Sequence, residues 1–270
     1  MMFSILIAHY NNWEYFQECY KSIISQTYQN FEIVIVDDYS TDHSYEKLKE
    51  LSQSDSKIKL FQNTENKKVG FTKFRCVEEA KGDICLFVDP DDLITDNALE
   101  EIKKAYVSNQ YCIATYSKLE LVDMNRNSKG EFKSTKKIIN SKLDFFNINF
   151  EIAHLFSFKR EAYNKTEGIN PTLSSAVDQD LYLKLYETGE FYFIDKVLYQ
   201  YRLHEKGVSQ DKSKKELLNL NWNQVLLDTC KRRKIEKLDG KIVDGISDIS
   251  KFIYARENTF IKKILNKLFK

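Results

Sequence analysis

The sequence predicts an α/β protein in which helices flank a mainly parallel sheet, with a helical extension at the C-terminus. Two observations carry this prediction. Short apolar runs without polar alternation recur through the first half of the chain, as expected for parallel strands buried on both faces. Segments with apolar residues at helical spacing separate these runs, and the alternation predicts right-handed βαβ units.

The first half contains the strands and helices with the clearest patterns. The strands are expected at 3–8, 31–37, 57–62 and 84–89, and the helices at 13–26, 43–54 and 70–81. Asn12 has the side chain of an N-cap for the first helix, and Gly82 follows the third helix where a C-cap glycine belongs.

The second half is more varied, with a hairpin, a helix, a strand and a helical C-terminus. These are expected at 111–124 with 131–138, at 178–188, at 191–201, and from 213 onward. The turn-rich segment Asn125–Gly130 indicates the hairpin, and Gly189 ends the helix. Residues 211–270 are therefore expected to form the helical extension.

Composition and charge exclude several classes of protein. A formal net charge of +1 over 270 residues gives no overall field that would attract nucleic acid. The five cysteines have no C-x-x-C spacing, which favours a reducing, cytoplasmic setting over a disulfide framework. No apolar run reaches the ~18 residues that a membrane-spanning helix needs, and Met1–Ala8 lacks the charged start of a signal peptide. We expect a soluble protein that at most lies on a membrane surface.

Three carboxylates lie at the carboxyl end of the apolar strand at 84–89. Side chains two residues apart in an extended segment point the same way, so Asp89 and Asp91 can converge, and Asp92 follows directly. Hard divalent ions such as Mg²⁺ or Mn²⁺ take carboxylate oxygens together with substrate phosphates. One acid would suffice to cap a helix beginning near Thr95, so three acids indicate a metal that carries a nucleotide diphosphate.

A second polar cluster follows the strand at 31–37. Asp37 and Asp38 precede Ser40-Thr41-Asp42, a composition typical of Asx turns and helix caps. Asp38 could instead accept a hydrogen bond from a nucleobase N–H or a ribose hydroxyl. Because Ala8-His9-Tyr10-Asn11 ends a neighbouring strand, a base pocket is a plausible interpretation.

Four further residues each have two interpretations. Asp178 and Asp180 open an apolar helix, where acids favour the helix dipole, but Asp178 could also be a general base. His204 follows a strand, and a lone histidine is more often an ordinary residue than a metal ligand. Lys73 could face pyrophosphate or belong to a solvated face. The residues alone leave these alternatives open.

Six segments stand in a recognisable order: Ser4–Asn12, Ser22–Tyr28, Phe31–Asp42, Ala80–Asp92, Asp178–Leu181 and Tyr201–His204. Together they resemble the family 2 glycosyltransferases, which have the GT-A fold with a Rossmann-like sheet. The resemblance covers about residues 3–210 and is most specific in the first half. It implies a domain at 1–210, with a nucleotide-binding half at 1–110 and an acceptor half at 111–210.

The resemblance implies an inverting transfer of a sugar from a nucleotide-sugar donor, usually a UDP-sugar. The acceptor would be a hydroxyl of a saccharide or of a lipid-linked molecule, and the cofactor Mn²⁺ or Mg²⁺. Synthesis of bacterial surface polysaccharides is the commonest setting of the family.

The resemblance also implies roles in donor binding for individual residues. Asp38 would correspond to the acid that reads the base, with Ala8 and Tyr10 lining that pocket. Asp89 or Asp91 would contact the ribose.

Metal binding and catalysis are implied in the same way. Asp91 or Asp92 would bind the metal, and His204 falls where some members supply a further metal ligand. Asp178 falls where the family has its catalytic base.

Two departures from the family pattern concern the phosphates and the base. Lys73 stands where relatives carry an Arg, and Phe74 stands where they carry an Asn. Lys can contact phosphate, but without the bidentate geometry of Arg. Val177 replaces the Glu that usually precedes the base, which leaves Asp180 as an alternative to Asp178 with a secondary role toward the acceptor.

The C-terminal tail and two other functions stay open. Residues 251–270 carry six Lys/Arg and one Glu around an apolar stripe. This segment either contacts a membrane surface beside a lipid-linked acceptor, or packs on the domain or on a second subunit in a homodimer. A sugar nucleotidyltransferase would carry a glycine- and basic-rich loop where Ala8–Asn12 stands. A D-x-D-x-Thr phosphatase is disfavoured by Leu93, and a relative that binds the donor without transfer remains an alternative.

Overall fold

The computed structural model describes residues 1–204 and 215–259. Within these residues a nine-stranded sheet forms the centre of the fold. Its strands are β1 Phe3–His9, β2 Phe31–Asp37, β3 Ile58–Gln62, β4 Ile84–Phe87, β5 Leu93–Ile94, β6 Cys112–Val122, β7 Ser128–Glu131, β8 Phe156–Lys159 and β9 Glu190–Arg202. The helices are α1 Trp13–Ile24, α2 Ser44–Ser54, α3 Lys68–Glu79, α4 Ala98–Ser108, α5 Arg160–Tyr163, α6 Val177–Tyr186, α7 Lys215–Arg232 and α8 Ile249–Glu257.

The strand order across the sheet is β3-β2-β1-β4-β8-β6-β9-β5, and β7 pairs with β6. The first four strands of this order are parallel, with Ile5 opposite Ile33 on one side and Leu86 on the other. β8 is antiparallel to both of its neighbours, whereas β6 and β9 are parallel. The carboxyl ends of β1, β2 and β4 therefore meet at one edge, where ligands of open α/β sheets bind.

Helices cover both faces of the parallel strands, which is why these strands are continuously apolar. Ile5 and Ile33 pack with Phe16 of α1 in the core on one face. Leu6 and Cys76 of α3 belong to the core on the other face. This arrangement fixes the register of β1 and β2, because a slip of one residue would exchange the two faces.

The strands and helices expected in the first half are confirmed to within a few residues. However, α3 ends at Glu79, and Gly82 is not its C-cap. A Cβ on Gly82 would lie 2.6 Å from the backbone nitrogen of Ser4, so glycine is needed there for close packing against β1. Asn12 occupies the N-cap position of α1, but its side chain makes no capping hydrogen bond.

The second half departs further from expectation. The hairpin forms, but its return strand is Ser128–Glu131 rather than 131–138. The sequence does not predict β8, which fills the gap between β4 and β6. Only two of the four residues of β8, Phe156 and Phe158, are apolar, so no apolar run stands out from the irregular chain before them. α6 and β9 match their expected ranges closely.

The C-terminal extension is helical as expected, except for a short hairpin, β10 Lys237–Leu238 with β11 Lys241–Ile242, and a 3-10 turn at Val243–Gly245. Asp239 and Gly240 form the hairpin turn with φ values of 48° and 82°, and Asp-Gly is a sequence signal for such a turn.

α7 and α8 add to the existing core. Val225 of α7 and Ile253 of α8 are buried in the same cluster as Leu6 of β1. None of the helices in residues 1–204 and 215–259 is long and apolar enough to cross a membrane. The expected domain boundary at 210 and most of the apolar stripe in the tail, at 260–270, lie outside the described residues.

Candidate active site

Asp38 follows β2 at the edge where β1, β2 and β4 end. It is 4% exposed, and its carboxylate accepts hydrogen bonds from the Asn63 amide at 2.8 Å and from the backbone N–H groups of Lys67 and Lys68 at 2.7 and 2.9 Å. These N–H groups begin α3, where the helix dipole favours an anion. One carboxylate oxygen, Oδ2, keeps a lone pair for a further donor.

The residues expected to line the base pocket lie next to Asp38. The backbone N–H of Asp38 donates to the carbonyl of His9 at 2.8 Å, so Ala8 and Tyr10 flank this position. Tyr10 is exposed, and Ala8 is partly buried. The structure thus brings Ala8, Tyr10 and Asp38 to one edge.

Asp37 has a structural role, as the turn interpretation predicted. Burial raises the pKa of Asp37, but hydrogen bonds from His9, Ser40 and Gln62 hold it below its ordinary value. The Ser40 backbone N–H donates to Asp37 at 2.9 Å, which closes the turn after β2.

Asp92 points into the protein. Its carboxylate accepts hydrogen bonds from the Tyr199 hydroxyl at 2.7 Å and from the Arg202 backbone N–H at 2.8 Å, and it is 2% exposed. Burial and the nearby carboxylates of Asp91 and Asp89 raise its pKa well above the usual value. Asp92 therefore anchors residues 89–92, the acidic loop, to β9.

Asp91, in contrast to Asp92, contacts His204. The Nε2 of His204 lies 2.7 Å from Asp91 Oδ2, and Asp91 is partly exposed. The Nδ1 of His204 is buried without a partner among the described residues. A carboxylate and an imidazole side by side form a donor set that fits Mn²⁺ or a related divalent ion.

Arg202, which the sequence did not single out as functional, holds the same loop from behind. Its guanidinium donates to the backbone carbonyl of Asp91 at 2.9 Å, to that of Met124 at 3.2 Å and to Glu18 at 2.8 Å. It also lies over the ring of Tyr15. Buried Arg202 therefore fixes the backbone from which Asp91 projects.

Lys73 joins the acidic loop to α6. Its Nζ lies 2.8 Å from Asp178 Oδ1 and 3.0 Å from Asp89 Oδ1. Burial alone lowers the pKa of Lys73, but the two carboxylates raise it well above its usual value, so the group stays an ammonium. Burial acts to raise the pKa of Asp89, and the charge and hydrogen bond of the Lys73 ammonium hold it below its ordinary value.

His154 completes this cluster and was missed at the sequence level. Its Nε2 lies 3.8 Å from Asp89 Oδ2 and 3.8 Å from Asp178 Oδ2, and its ring stacks on Tyr199. Among the described residues, Asp89, His154 and Asp178 form a group whose ligand atoms lie within 4.8 Å of one another. Lys73 already supplies a cation to both of these acids. His154 lies in an irregular segment before β8, so no periodic pattern pointed to it.

Asp180, the alternative to Asp178, faces away from this cluster. It accepts hydrogen bonds from Lys184 at 2.9 Å and from the Asn170 backbone N–H at 2.8 Å. The loop that it anchors lies against α3, where the Gly70 N–H donates to the Leu173 carbonyl at 3.0 Å. A buried, paired carboxylate supports the loop but is not presented to an acceptor.

Each of the three acids at 89–92 therefore has its own partner among the described residues. Lys73 binds Asp89, His204 contacts Asp91, and Tyr199 with the Arg202 backbone binds Asp92. Asp91 with His204 is the pair with partial exposure and a donor set suited to a metal.

Comparison with known proteins gives the same picture of the fold. Chondroitin synthase of Escherichia coli is 27% identical over 258 residues, which are 94% of this chain and 36% of that protein. The chain thus spans about a third of the synthase. Staphylococcus aureus TarS in complex with UDP-GlcNAc superposes with a TM-score of 0.68 at 23% identity, over 86% of this chain and 72% of that one.

A second solved structure extends the likeness. The mannosyltransferase PcManGT of Pyrobaculum calidifontis, in complex with GDP-Man and Mn²⁺, superposes with a TM-score of 0.61 at 16% identity, over 94% of this chain and 68% of that one. At such identities these structures show a shared fold, and the expected GT-A architecture is confirmed. The model of "Glycosyl transferase family 2" matches residues 4–167, more than half of the sequence. The chain therefore belongs to glycosyl transferase family 2.

Proposed function

We propose that this chain transfers a sugar, with inversion, from a UDP-sugar to a hydroxyl of a saccharide or lipid-linked acceptor. One observation carries the proposal: a single buried lysine, Lys73, holds Asp178 beside Asp89 at the edge where β1, β2 and β4 end. A candidate base therefore lies next to the candidate ribose-binding acid. The UDP-GlcNAc complex of TarS, a protein of the same fold, supports UDP as the nucleotide to test first.

The donor would lie across the edge of the parallel strands. In this proposal Asp38 accepts the base N–H, and Ala8 and Tyr10 line the pocket beside it. Asp89 accepts a ribose hydroxyl through Oδ2, because its Oδ1 is bound by Lys73. Lys73 then contributes to donor binding mainly by holding Asp89 in place, and less by contacting the phosphates.

Asp91 and His204 would hold the divalent metal, Mn²⁺ or Mg²⁺, and the metal would neutralise charge on the leaving diphosphate. The Mn²⁺ complex of PcManGT, which shares the fold, supports this cofactor. Asp92 keeps the acidic loop against Tyr199, and Arg202 holds the backbone of Asp91.

Asp178 would be the general base. Lys73 holds Oδ1 at 2.8 Å, which leaves Oδ2 to take the proton of the acceptor hydroxyl as its oxygen attacks the anomeric carbon. Asp178 is about one-third exposed, so an acceptor can reach it. Asp180 would support the neighbouring loop and take no proton.

The cellular setting is also a proposal. Chondroitin synthase, a relative over most of this chain, supports a role in bacterial polysaccharide synthesis. The basic tail at 251–270 would contact either the inner face of the cell membrane or a second subunit, and the chain would act in the cytoplasm.

The test is UDP release from a panel of UDP-sugars with Mn²⁺, Mg²⁺ or EDTA, with a panel of saccharide acceptors. The proposal predicts metal-dependent release of UDP that Asp178→Asn lowers by about 10²–10⁴-fold, while calorimetry finds nearly unchanged UDP binding. Binding without release from any donor would favour the non-catalytic relative. Release of pyrophosphate in place of UDP would favour a nucleotidyltransferase.

A further inference from the structure

The gap between His154 and Asp178 is too wide for a direct hydrogen bond and has the width for one bridging oxygen. Nε2 of His154 lies 3.8 Å from Asp178 Oδ2. An atom about 2.8 Å from each of two groups separated in this way makes an ordinary hydrogen bond to both. A second oxygen, Asp89 Oδ2, lies 3.8 Å from the same nitrogen.

The charges around the ring determine which His154 nitrogen carries the proton. Nε2 faces two carboxylates, so a bare lone pair there would be repelled and an N–H is attracted. Nδ1 is buried without a partner among the described residues, and an unpaired buried acceptor is tolerated better than an unpaired N–H. Nε2–H is therefore a donor aimed at the gap.

The ring is held in this orientation from one side. His154 is 13% exposed and stacks on Tyr199, with ring centroids 4.9 Å apart and an angle of 18° between the planes. Tyr199 is fixed in turn, because its hydroxyl donates to Asp92 at 2.7 Å. The ring of His154 thus packs against Tyr199, a residue of β9.

Resting on the proposed function, we propose that His154 is an acceptor-binding residue. Its Nε2–H donates to the acceptor hydroxyl oxygen while that hydroxyl donates its proton to Asp178 Oδ2. The two groups together define the position of the attacking oxygen beside the donor. On transfer the O–H bond breaks, the proton passes to Asp178, the new C–O bond forms and the diphosphate leaves with its electron pair.

A metal ion is the alternative occupant of the gap, and the charge of Lys73 opposes it. The ammonium already binds one oxygen of Asp89 and one of Asp178. A dication placed next to it would be repelled. A hydroxyl oxygen, which is neutral and can both accept and donate, fits the groups present.

Two substitutions distinguish the contribution of the His154 N–H from that of its aromatic ring. His154→Phe keeps the stacking surface on Tyr199 and lacks the donor, whereas His154→Gln keeps a donor and lacks the ring. The assay is UDP release from UDP-GlcNAc with Mn²⁺, in which a water molecule takes the place of the acceptor hydroxyl. We expect His154→Phe to lower kcat by about 100-fold with KM for the donor within twofold, and His154→Gln to retain at least about a tenth of kcat.

The same pair of changes at exposed His43 is the matched control and should leave both constants unchanged. An active His154→Phe beside an inactive His154→Gln would overturn the proposal, because the ring and not the donor would then matter. A rise in KM for UDP-GlcNAc with unchanged kcat would also overturn it, because His154 would then bind the sugar donor and not the acceptor.

A crystal structure of the ligand-free protein grown with Mn²⁺ tests the position of the His154 N–H without any turnover. The proposal predicts an ordered water within hydrogen-bond distance of both His154 Nε2 and Asp178 Oδ2. An anomalous manganese peak at that point, or a direct contact that closes the gap, would overturn it. If the wild type binds no UDP at all, the proposed function fails. The presence or absence of this water still decides whether the His154 N–H points at Asp178.

Discussion

The ammonium of Lys73 lies 2.8 Å from the carboxylate of Asp178, and this contact links α3 to the helix that carries the candidate base. The same nitrogen lies 3.0 Å from Asp89 at the end of β4. One buried charge therefore sets the spacing of two acids that approach from different elements. Its loss would leave two carboxylates facing each other without a cation.

Lys73→Met should therefore affect stability and transfer together. Removing one partner of a buried ion pair costs about 3–5 kcal/mol of unfolding free energy, and UDP release should fall at least about 100-fold. Urea unfolding and the release assay measure the two effects. The double variant Lys73→Met with Asp178→Asn should regain part of the stability, because the repulsion is gone, but none of the activity. A double variant no more stable than Lys73→Met would contradict this account of the contact.

The metal site gives a second prediction through two neighbouring acids. Asp91→Asn should weaken Mn²⁺-dependent UDP binding about 10- to 100-fold, because Asp91 lies beside His204 and is partly exposed. Asp92→Asn should keep binding within about threefold, since the side chain of Asp92 is buried and its carboxylate accepts hydrogen bonds from Tyr199 and the Arg202 backbone. Calorimetry of UDP with Mn²⁺, repeated with EDTA, measures both. The reverse order of the two variants would show that Asp92 is the ligand.

Asp37 predicts a pH dependence of stability. Its folded-state pKa lies below the ordinary value, so its hydrogen bonds from His9, Ser40 and Gln62 stabilise the fold above about pH 4. This contribution is lost as the pH falls through the depressed folded-state pKa. Asp37→Asn should be about 2 kcal/mol less stable than the wild type at pH 7, and the difference should shrink on acidification. Urea unfolding from pH 7 to pH 3 measures it, with Asp239→Asn in the exposed hairpin turn as the control. A difference that stays constant with pH would rule out this role.

Gly70 predicts a packing effect on the site. A Cβ at Gly70 would lie 2.3 Å from the Leu173 carbonyl oxygen, so α3 and the loop held by Asp180 would have to separate. Gly70→Ala should lower the unfolding free energy by about 1–3 kcal/mol and reduce UDP release, because α3 carries Lys73. Gly245→Ala is the matched control, since no atom lies within 4 Å of a Cβ there. Equal stability of the two variants would argue against close packing at Gly70.

The sequence was most informative where local chemistry and chain order agree. The apolar runs of β1, β2 and β4 are buried on both faces, so their pattern is strong, and the acids that follow them mark the carboxyl edge of the sheet. The order of Asp38, Asp91 and Asp178 could be matched to a family before any geometry was known.

The partners of those acids could not be found in the same way. Lys73 and Asp178 are 105 residues apart, and Tyr199 and Asp92 are 107 residues apart. No local sequence pattern reports such pairs, so the separate partners of Asp89, Asp91 and Asp92 could not be predicted from the sequence. His154 lies in irregular chain between β7 and β8, where neither helical nor strand periodicity exists to read.

Asp180 and Gly70 have packing contacts that the sequence likewise could not predict. Two acids in the first turn of α6 are equivalent in sequence, but the helix turns Asp178 toward Lys73 and Asp180 toward Lys184. Gly70 lies in the first turn of α3, and a glycine is needed there because a loop about 100 residues further along the chain packs against it.

The most direct test of the central claim is anomalous diffraction at the manganese edge from crystals grown with UDP and Mn²⁺. The account predicts one manganese peak within coordination distance of Asp91 Oδ2 and His204 Nε2, with the diphosphate of UDP on its open side and Lys73 still between Asp89 and Asp178. Manganese between Asp89, His154 and Asp178 with Lys73 displaced, or UDP bound with no metal at this edge, would contradict it.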